Sequence, residues 1–449
     1  MIIGLIIIVL CFACYLNPKY RHYSLVLYIG FLNGDIGGYN ILTNQIIGIK
    51  NIDLGILFTF ITILYGISKP IKLCSKIPLT LLLLIKCFIF FIICSIFFSY
   101  LHYNFPFFTV LRGARSYFLI LSLFVINCFT YKELHNALRI ILNITILTAI
   151  LYILQVIIGK PIMPYPWEYM KDTTTGLIRL YNMPVFLTFF TLLSFTKNNI
   201  IQKHQLTYRI ILILTVICTL GRTMIITTLL GILMISLINK GMGYLLKIIL
   251  SILILSYPLY DILNNRFIDS GTSTDIQRVQ NGDYLDYHGG EGTFIYRIAW
   301  LYERWDYLQD RPTSEKIFGL GLIGEGEPEI YKMYNFQVGL KNDKGEVAQL
   351  STPDIAYGDM LTHLGILGSL LNLSIIIYLI YYFYKNRNTH VLASLSFCLL
   401  IVTLINSMSA STIAVPKNIS IYFLTLIYIV KYKDLKTNES KSINCNSNI

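Results

Sequence analysis

Apolar segments of about the length of a bilayer crossing recur through almost the whole chain, and this limits the fold more than any other feature. They fall near residues 2–16, 23–34, 53–69, 78–101, 114–130, 136–157, 182–196, 208–221, 223–239, 243–262, 361–384, 392–408 and 418–431. A bilayer core takes roughly 20 apolar residues per helix. The pattern predicts an all-α polytopic membrane protein with thirteen spans, or twelve if 23–34, which ends in polar Asn33 and Asp35, stops short. Only 13% of the 449 residues are charged, and mean hydropathy is +0.63, far above a soluble domain. Met1 to Leu16 lacks a basic leader and a small-residue cleavage site, so it reads as a retained first span rather than a signal peptide.

One polar stretch interrupts this pattern. Residues 263–354 hold 15 of the 24 acidic residues but only 9 of the 36 basic ones, so the stretch is net acidic and the remainder strongly basic. The chain therefore divides into an N-terminal transmembrane bundle (1–262), a large loop (263–354), C-terminal transmembrane helices (355–431) and a polar tail (432–449) expected to be disordered. Lys19, Arg21, Lys76, Lys132, Arg209, Lys385, Arg387 and the tail lysines alternate onto one face of the bundle, which the positive-inside pattern makes cytoplasmic. The loop then lies on the outer face. The basic balance is thus a topology signal and not a sign of nucleic-acid binding. None of the nine cysteines lies in the loop, so neither a disulfide framework nor a zinc site follows, and the Cys11–Cys14 spacing reads as coincidence.

The outer connections are unusually rich in arginine. Arg112, Arg115, Arg179 and Arg222 are four of their eight bases, against three arginines among sixteen on the cytoplasmic side. A fork-shaped, permanently charged guanidinium suits bidentate recognition of phosphate. Within the loop, Gly292 to Arg311 predicts a helix, with Phe294, Ile298, Leu301, Trp305 and Leu308 at helical spacing. Arg297 and Arg304, seven apart, share one of its faces. Gly319, Gly321, Gly324 and Gly326 read as a flexible turn, because a phosphate-cradling loop needs a strand before it and a helix after it. Most loop carboxylates, among them Glu325, Glu327 and Glu329, read as solvated surface, and Asp283, Asp286 and His288 match no metal-ligand spacing. Asp354 stands at the start of the next span, as either a general base or a helix cap.

Four local patterns, taken in order, resemble the bacterial O-antigen polymerase and O-antigen ligase superfamily. They are Gly176-Leu-Ile-Arg179 followed by Pro184; Leu220-Gly-Arg222-Thr223; Tyr296-Arg297-Ile-Ala-Trp300 followed by Phe318-Gly319-Leu-Gly321; and Asp354 to Tyr357 leading to Leu364-Gly365-Ile-Leu-Gly368. The resemblance covers nearly the whole chain in architecture but few residues in identity. It implies a GT-C-like membrane fold and a metal-independent, cofactor-free inverting glycosyltransferase of the bacterial cytoplasmic (inner) membrane. Its substrates would be undecaprenyl-pyrophosphate-linked oligosaccharides, used at the outer face among membrane lipids, with a flippase and a chain-length regulator as partners. Ligases of the superfamily carry His-Asn where this chain has Asp354-Ile355, a departure that favours a repeat-unit polymerase over a ligase. His363, inside the following span, reads as a packed helix residue.

On this reading Arg179, Arg222 and Arg297 stabilise the departing pyrophosphate and Asp354 activates the acceptor hydroxyl. Arg112, Arg115 and Arg304 assist in binding, and Trp300 stacks on a sugar ring. Two other readings stand beside it: ligase-type transfer to a lipid or protein acceptor, and a flippase or other transporter. A transporter commonly shows internal repeats and charges at mid-membrane. Here no repeat is visible and Lys86 is the clearest charge within a span.

Overall fold

In a computed structural model of the chain, the apolar runs become helices, and prolines and capping residues set their ends. The structure describes residues 2–33, 51–68, 76–163, 170–171, 178–180, 182–201, 204–243, 294–325, 327–341, 345–352, 354–410, 412–414 and 416–446, with scattered positions between 246 and 285. The first three helices are α1 (Ile2–Leu16), α2 (Arg21–Asn33) and α3 (Asn51–Ser68). Pro78 opens α4 (Leu79–His102), and Pro106 opens α5 (Phe107–Ala114), which runs through a 3-10 segment (Arg115–Leu121) into α6 (Ser122–Asn127). A capping box between Thr130 and Glu133 starts α7 (Tyr131–Ile158), and Gly159 at φ 73° ends it in the left-handed conformation that glycine adopts cheaply.

A two-residue antiparallel pair, β1 (Met170–Lys171) with β2 (Ile178–Arg179), follows, then α8 (Leu187–Ser194), α9 (Gln205–Cys218) and α10 (Arg222–Lys240). The loop contributes α11 (Phe294–Gln309), α12 (Thr313–Phe318) and α13 (Pro328–Met333). The chain then returns to the bundle as α14 (Ala356–Lys385), α15 (Val391–Asn406) and α16 (Ser420–Asn446).

Among the described residues, five helical stretches are long and apolar enough to cross a membrane: Leu79–His102, Phe107–Asn127, Tyr131–Ile158, Arg222–Asn239 and Ala356–Lys385. Along α4, Leu81, Ile85, Phe88 and Ile92 are buried, yet Leu79, Leu83, Phe90, Phe97 and Leu101 on the outside are apolar as well. A helix that is apolar all round has no face made for water, as befits a segment surrounded by lipid. The first half of α16 is buried on every side, with Phe423, Leu424, Leu426 and Ile427 fully enclosed, so it forms a central column of the bundle.

Three expectations change. The span placed at 114–130 begins earlier, at Phe107, so Arg112 and Arg115 lie within its first turns rather than in a connection. The span placed at 182–196 shrinks to α8, whose eight residues rise only ~12 Å against a bilayer core of ~30 Å. It is a buried half-helix, entered through Phe186 at φ 55°, and its last carbonyl, Ser194 O, is held by Gln205 and Arg209. The tail expected to be disordered continues α16 as helix, anchored where Lys76 pairs with Asp434 at 2.6 Å and Lys431 donates to the Asn127 and Phe129 carbonyls. The span placed at 243–262 lies largely outside the described residues.

The glycine-rich stretch after α12 is not a flexible turn. Leu320, Leu322 and Ile323 are fully buried, threaded between α4, α5 and α14. Leu322 N–H donates to Ser99 Oγ of α4, and Leu320 N–H donates to Thr362 O of α14 at 2.6 Å. Thr362 O is open to that donor because α14 breaks at Gly365 (φ 61°, ψ −166°). A side chain at Gly365 would meet the Gly319 backbone at 2.4 Å, and one at Gly113 would meet the Leu322 carbonyl at 2.6 Å. Non-helical backbone at this depth is sustained only when it is enclosed by protein and its polar groups are paired. The glycines supply that close approach.

Candidate functional site

The end of the bundle that carries the loop is built around α11. Trp300 and Arg304 of this helix are fully buried. The Arg304 guanidinium lies between the Trp300 ring (4.2 Å) and the Phe336 ring (4.4 Å) and donates to the Ala348 and Gln349 carbonyls and to Glu303. Burial pulls its pKa down to about 10, with Glu303 the largest force holding it up. Trp300 packs against Gly358 at the start of α14, where even a methyl group would clash at 2.4 Å. These two residues, expected at the substrate, lie inside the scaffold that fixes α11 to α14 and to Phe336, Ala348 and Gln349.

Arg297 lies two turns before Arg304 and is differently placed. Its side chain is 20% exposed, and Nη2 stands 3.9 Å from Asp354 Oδ1, a loose pair beyond hydrogen-bond reach. Its Nε is buried and finds no acceptor among the described residues. Two neighbouring arginines are held more closely. Arg115 makes a two-fold contact with Asp53 of α3 at 2.8 and 2.9 Å, and Arg112 pairs with Glu327 at 3.3 Å.

Arg222 is the first residue of α10, in a tight turn that holds Leu220 at φ 51°. A left-handed conformation at a leucine costs roughly 1–3 kcal/mol and persists only where surrounding packing imposes it. Gly231 faces Val402, and Asn239 bonds Ser394, so α10 runs antiparallel to α15 and Arg222 lies level with the turn after α15. Ala356 N–H donates to Ser407 O in that same turn, which places the Asp354 segment at the same level. Arg179 enters through β2; its side chain lies outside the described atoms, but the next residue, Leu180, accepts from Tyr152 and packs near Cys218 at the end of α9. Arg179, Arg222, Arg297 and Asp354 thus occupy one end of the bundle, and Arg297 meets Asp354 there.

The expectation that the loop carboxylates are solvated fails at three of them. Glu325 accepts from the backbone N–H groups of Gln349, Leu350 and Ser351 at 2.8–2.9 Å. Glu303 accepts from Gln337 and Val338, and the buried Glu315 meets His102 at 2.9 Å. The sequence shows their charge but not the backbone amides that Glu325 and Glu303 satisfy or the imidazole that Glu315 meets. His363 is buried as expected, yet both ring nitrogens have polar neighbours: Asp359 on one side, Ser351 and Ile323 on the other. Asp286, His288 and Gly326 lie outside the described residues.

Comparison of the chain with protein-family models and with curated proteins finds no match.

Proposed function

We propose that the protein is a membrane glycosyltransferase that polymerises lipid-linked oligosaccharide repeat units at the outer face of a bacterial cytoplasmic membrane, in the manner of O-antigen polymerases. The observation that carries this reading is Arg297: a partly exposed guanidinium that makes no hydrogen bond among the described residues and has only a loose counter-ion. Such a group is ready for an anion with several oxygens, and a diphosphate leaving group is one. Arg222 and Arg179 lie at the same end and add positive charge. Arginines can stabilise a departing pyrophosphate through preorganised hydrogen bonds alone. Arg304, Trp300, Arg112 and Arg115 support the site by holding α11, α5 and the loop in place rather than by touching sugar. Asp354 orients Arg297. The transporter alternative is weaker, because the break in α14 is filled by the chain's own Leu320 segment rather than left open for a passenger.

The test is the glycan made by the producing strain. Arg297→Ala is expected to abolish long-chain polymer, at least 100-fold by the usual cost of one transition-state donor, while the protein stays at normal abundance in the membrane. A normal chain-length ladder from that variant defeats the reading.

A further inference from the structure

Transfer to a hydroxyl releases a proton, and the start of α14 holds an arrangement suited to take it. His363 stands one turn after Asp359. Its Nδ1 lies 3.0 Å from the Asp359 carbonyl oxygen and 3.5 Å from Asp359 Oδ1. Its Nε2 lies 3.3 Å from Ser351 Oγ and 3.2 Å from Ile323 O. Asp359 Oδ1 is buried and accepts no hydrogen bond among the described residues, with Ser351 and Thr352 beside the same carboxyl group. Ser351 is the half-buried member, while His363 is enclosed.

The ring finds partners in both of its protonation states without moving. When neutral, Nδ1–H donates to Asp359 O and Nε2 accepts from the Ser351 hydroxyl. When protonated, Nε2–H donates to Ile323 O, and the new charge faces the open Asp359 oxygen. A group satisfied before and after proton uptake needs no reorganisation during the reaction. Asp354 stands beside Arg297 rather than in this cluster. A nucleophilic role for Ser351 fits poorly, because its own N–H, the donor an oxyanion would use, is taken by Glu325.

We infer that Ser351, His363 and Asp359 form a proton relay for the acceptor hydroxyl; this rests on the glycosyl-transfer reading above. As the acceptor oxygen bonds the anomeric carbon, its proton passes to Ser351 Oγ and the Ser351 proton passes to His363 Nε2. The bond from the anomeric carbon to the diphosphate oxygen breaks, and its electron pair leaves with the diphosphate. Ser351 is the member that meets the acceptor; His363 and Asp359 act through it as positioning residues. Among the described residues, the other ionisable groups facing the cluster are Glu325 from the glycine-rich segment and Tyr117 from the 3-10 segment.

The experiment measures polymer formation from the endogenous lipid-linked glycan in membranes of the producing strain, from about pH 5.5 to about pH 8, a range that brackets histidine titration. In the wild type the rate is expected to rise with pH, as for any relay that must take up a proton. His363→Gln is expected to lower the rate ~100-fold and to flatten that acid limb. Ser351→Ala tests the same point at a half-buried site, with normal abundance in the membrane as the check on folding, and is expected to lose activity that Ser351→Thr partly restores. If His363→Gln or Ser351→Ala keeps the wild-type rate and pH profile while Arg297→Ala is inactive, the relay falls and the glycosyl-transfer reading stands. If Arg297→Ala polymerises normally, the reading itself falls.

Discussion

At the scale of single residues, charge acts here according to what surrounds it. Arg297 and Arg304 sit seven apart on one helix and share a face, which the sequence makes plain. Only the fold shows that Phe336 and the 348–349 carbonyls close over Arg304 and leave Arg297 with an idle N–H. His390, at the opposite end of the bundle, gives a residue-scale prediction. Its Nδ1 accepts from Leu392 N–H and caps α15, and burial, helped by Lys436, pushes its pKa down to about 4. Unfolded histidine titrates near 6.5. Between these values the unfolded chain takes up a proton that the native state refuses, so stability is lost as pH falls through that window. His390→Asn keeps a capping acceptor without the titration. Melting of the purified protein should drop less between pH 7 and pH 4.5 in this variant than in the wild type, and equal drops would show that His390 is not the sensor.

Among elements, the contact that decides the loop's position is backbone against backbone. Gly319 and Gly365 meet so closely that each excludes a β-carbon, and Gly365 also adopts a positive φ. Gly365→Ala is therefore expected to leave little folded protein, because both the clash and the dihedral oppose it. Gly324→Ala, at an open position, should be tolerated. Monodisperse elution of Gly365→Ala from a sizing column at wild-type yield would contradict the packing. The existence of the helices was legible in the apolar runs, and Pro78 marked the start of α4, but the starts at Pro106 and Thr130 were placed several residues too late. The partner of each glycine was not legible, because Gly319 and Gly365 are joined across two helices and a strap. The shortness of α8 was equally hidden: its sequence is as apolar as a full span, and only the hydrogen bonds to Ser194 O reveal where it stops.

For the whole molecule, the arrangement has a basic end, where Lys76, Arg209, Arg387 and Lys431 lie, and a loop end, where Arg297 and Asp354 meet. The proposed function requires the loop end to face outward. Asn335→Cys, at an exposed loop position, should react in intact cells with a membrane-impermeant thiol reagent above the native-cysteine background, whereas Lys436→Cys should react only after lysis. The reverse labelling order would overturn the proposed site of action. The segment wedged beside Ser99 also bears on biogenesis. Leu322 is made 223 residues after Ser99. At roughly 5–20 residues per second, the slot between α4 and α5 waits ~10–45 s on the ribosome for its occupant. The nascent protein must therefore enter the bilayer with this seat empty, and the late arrival of one short strip of chain closes the assembly.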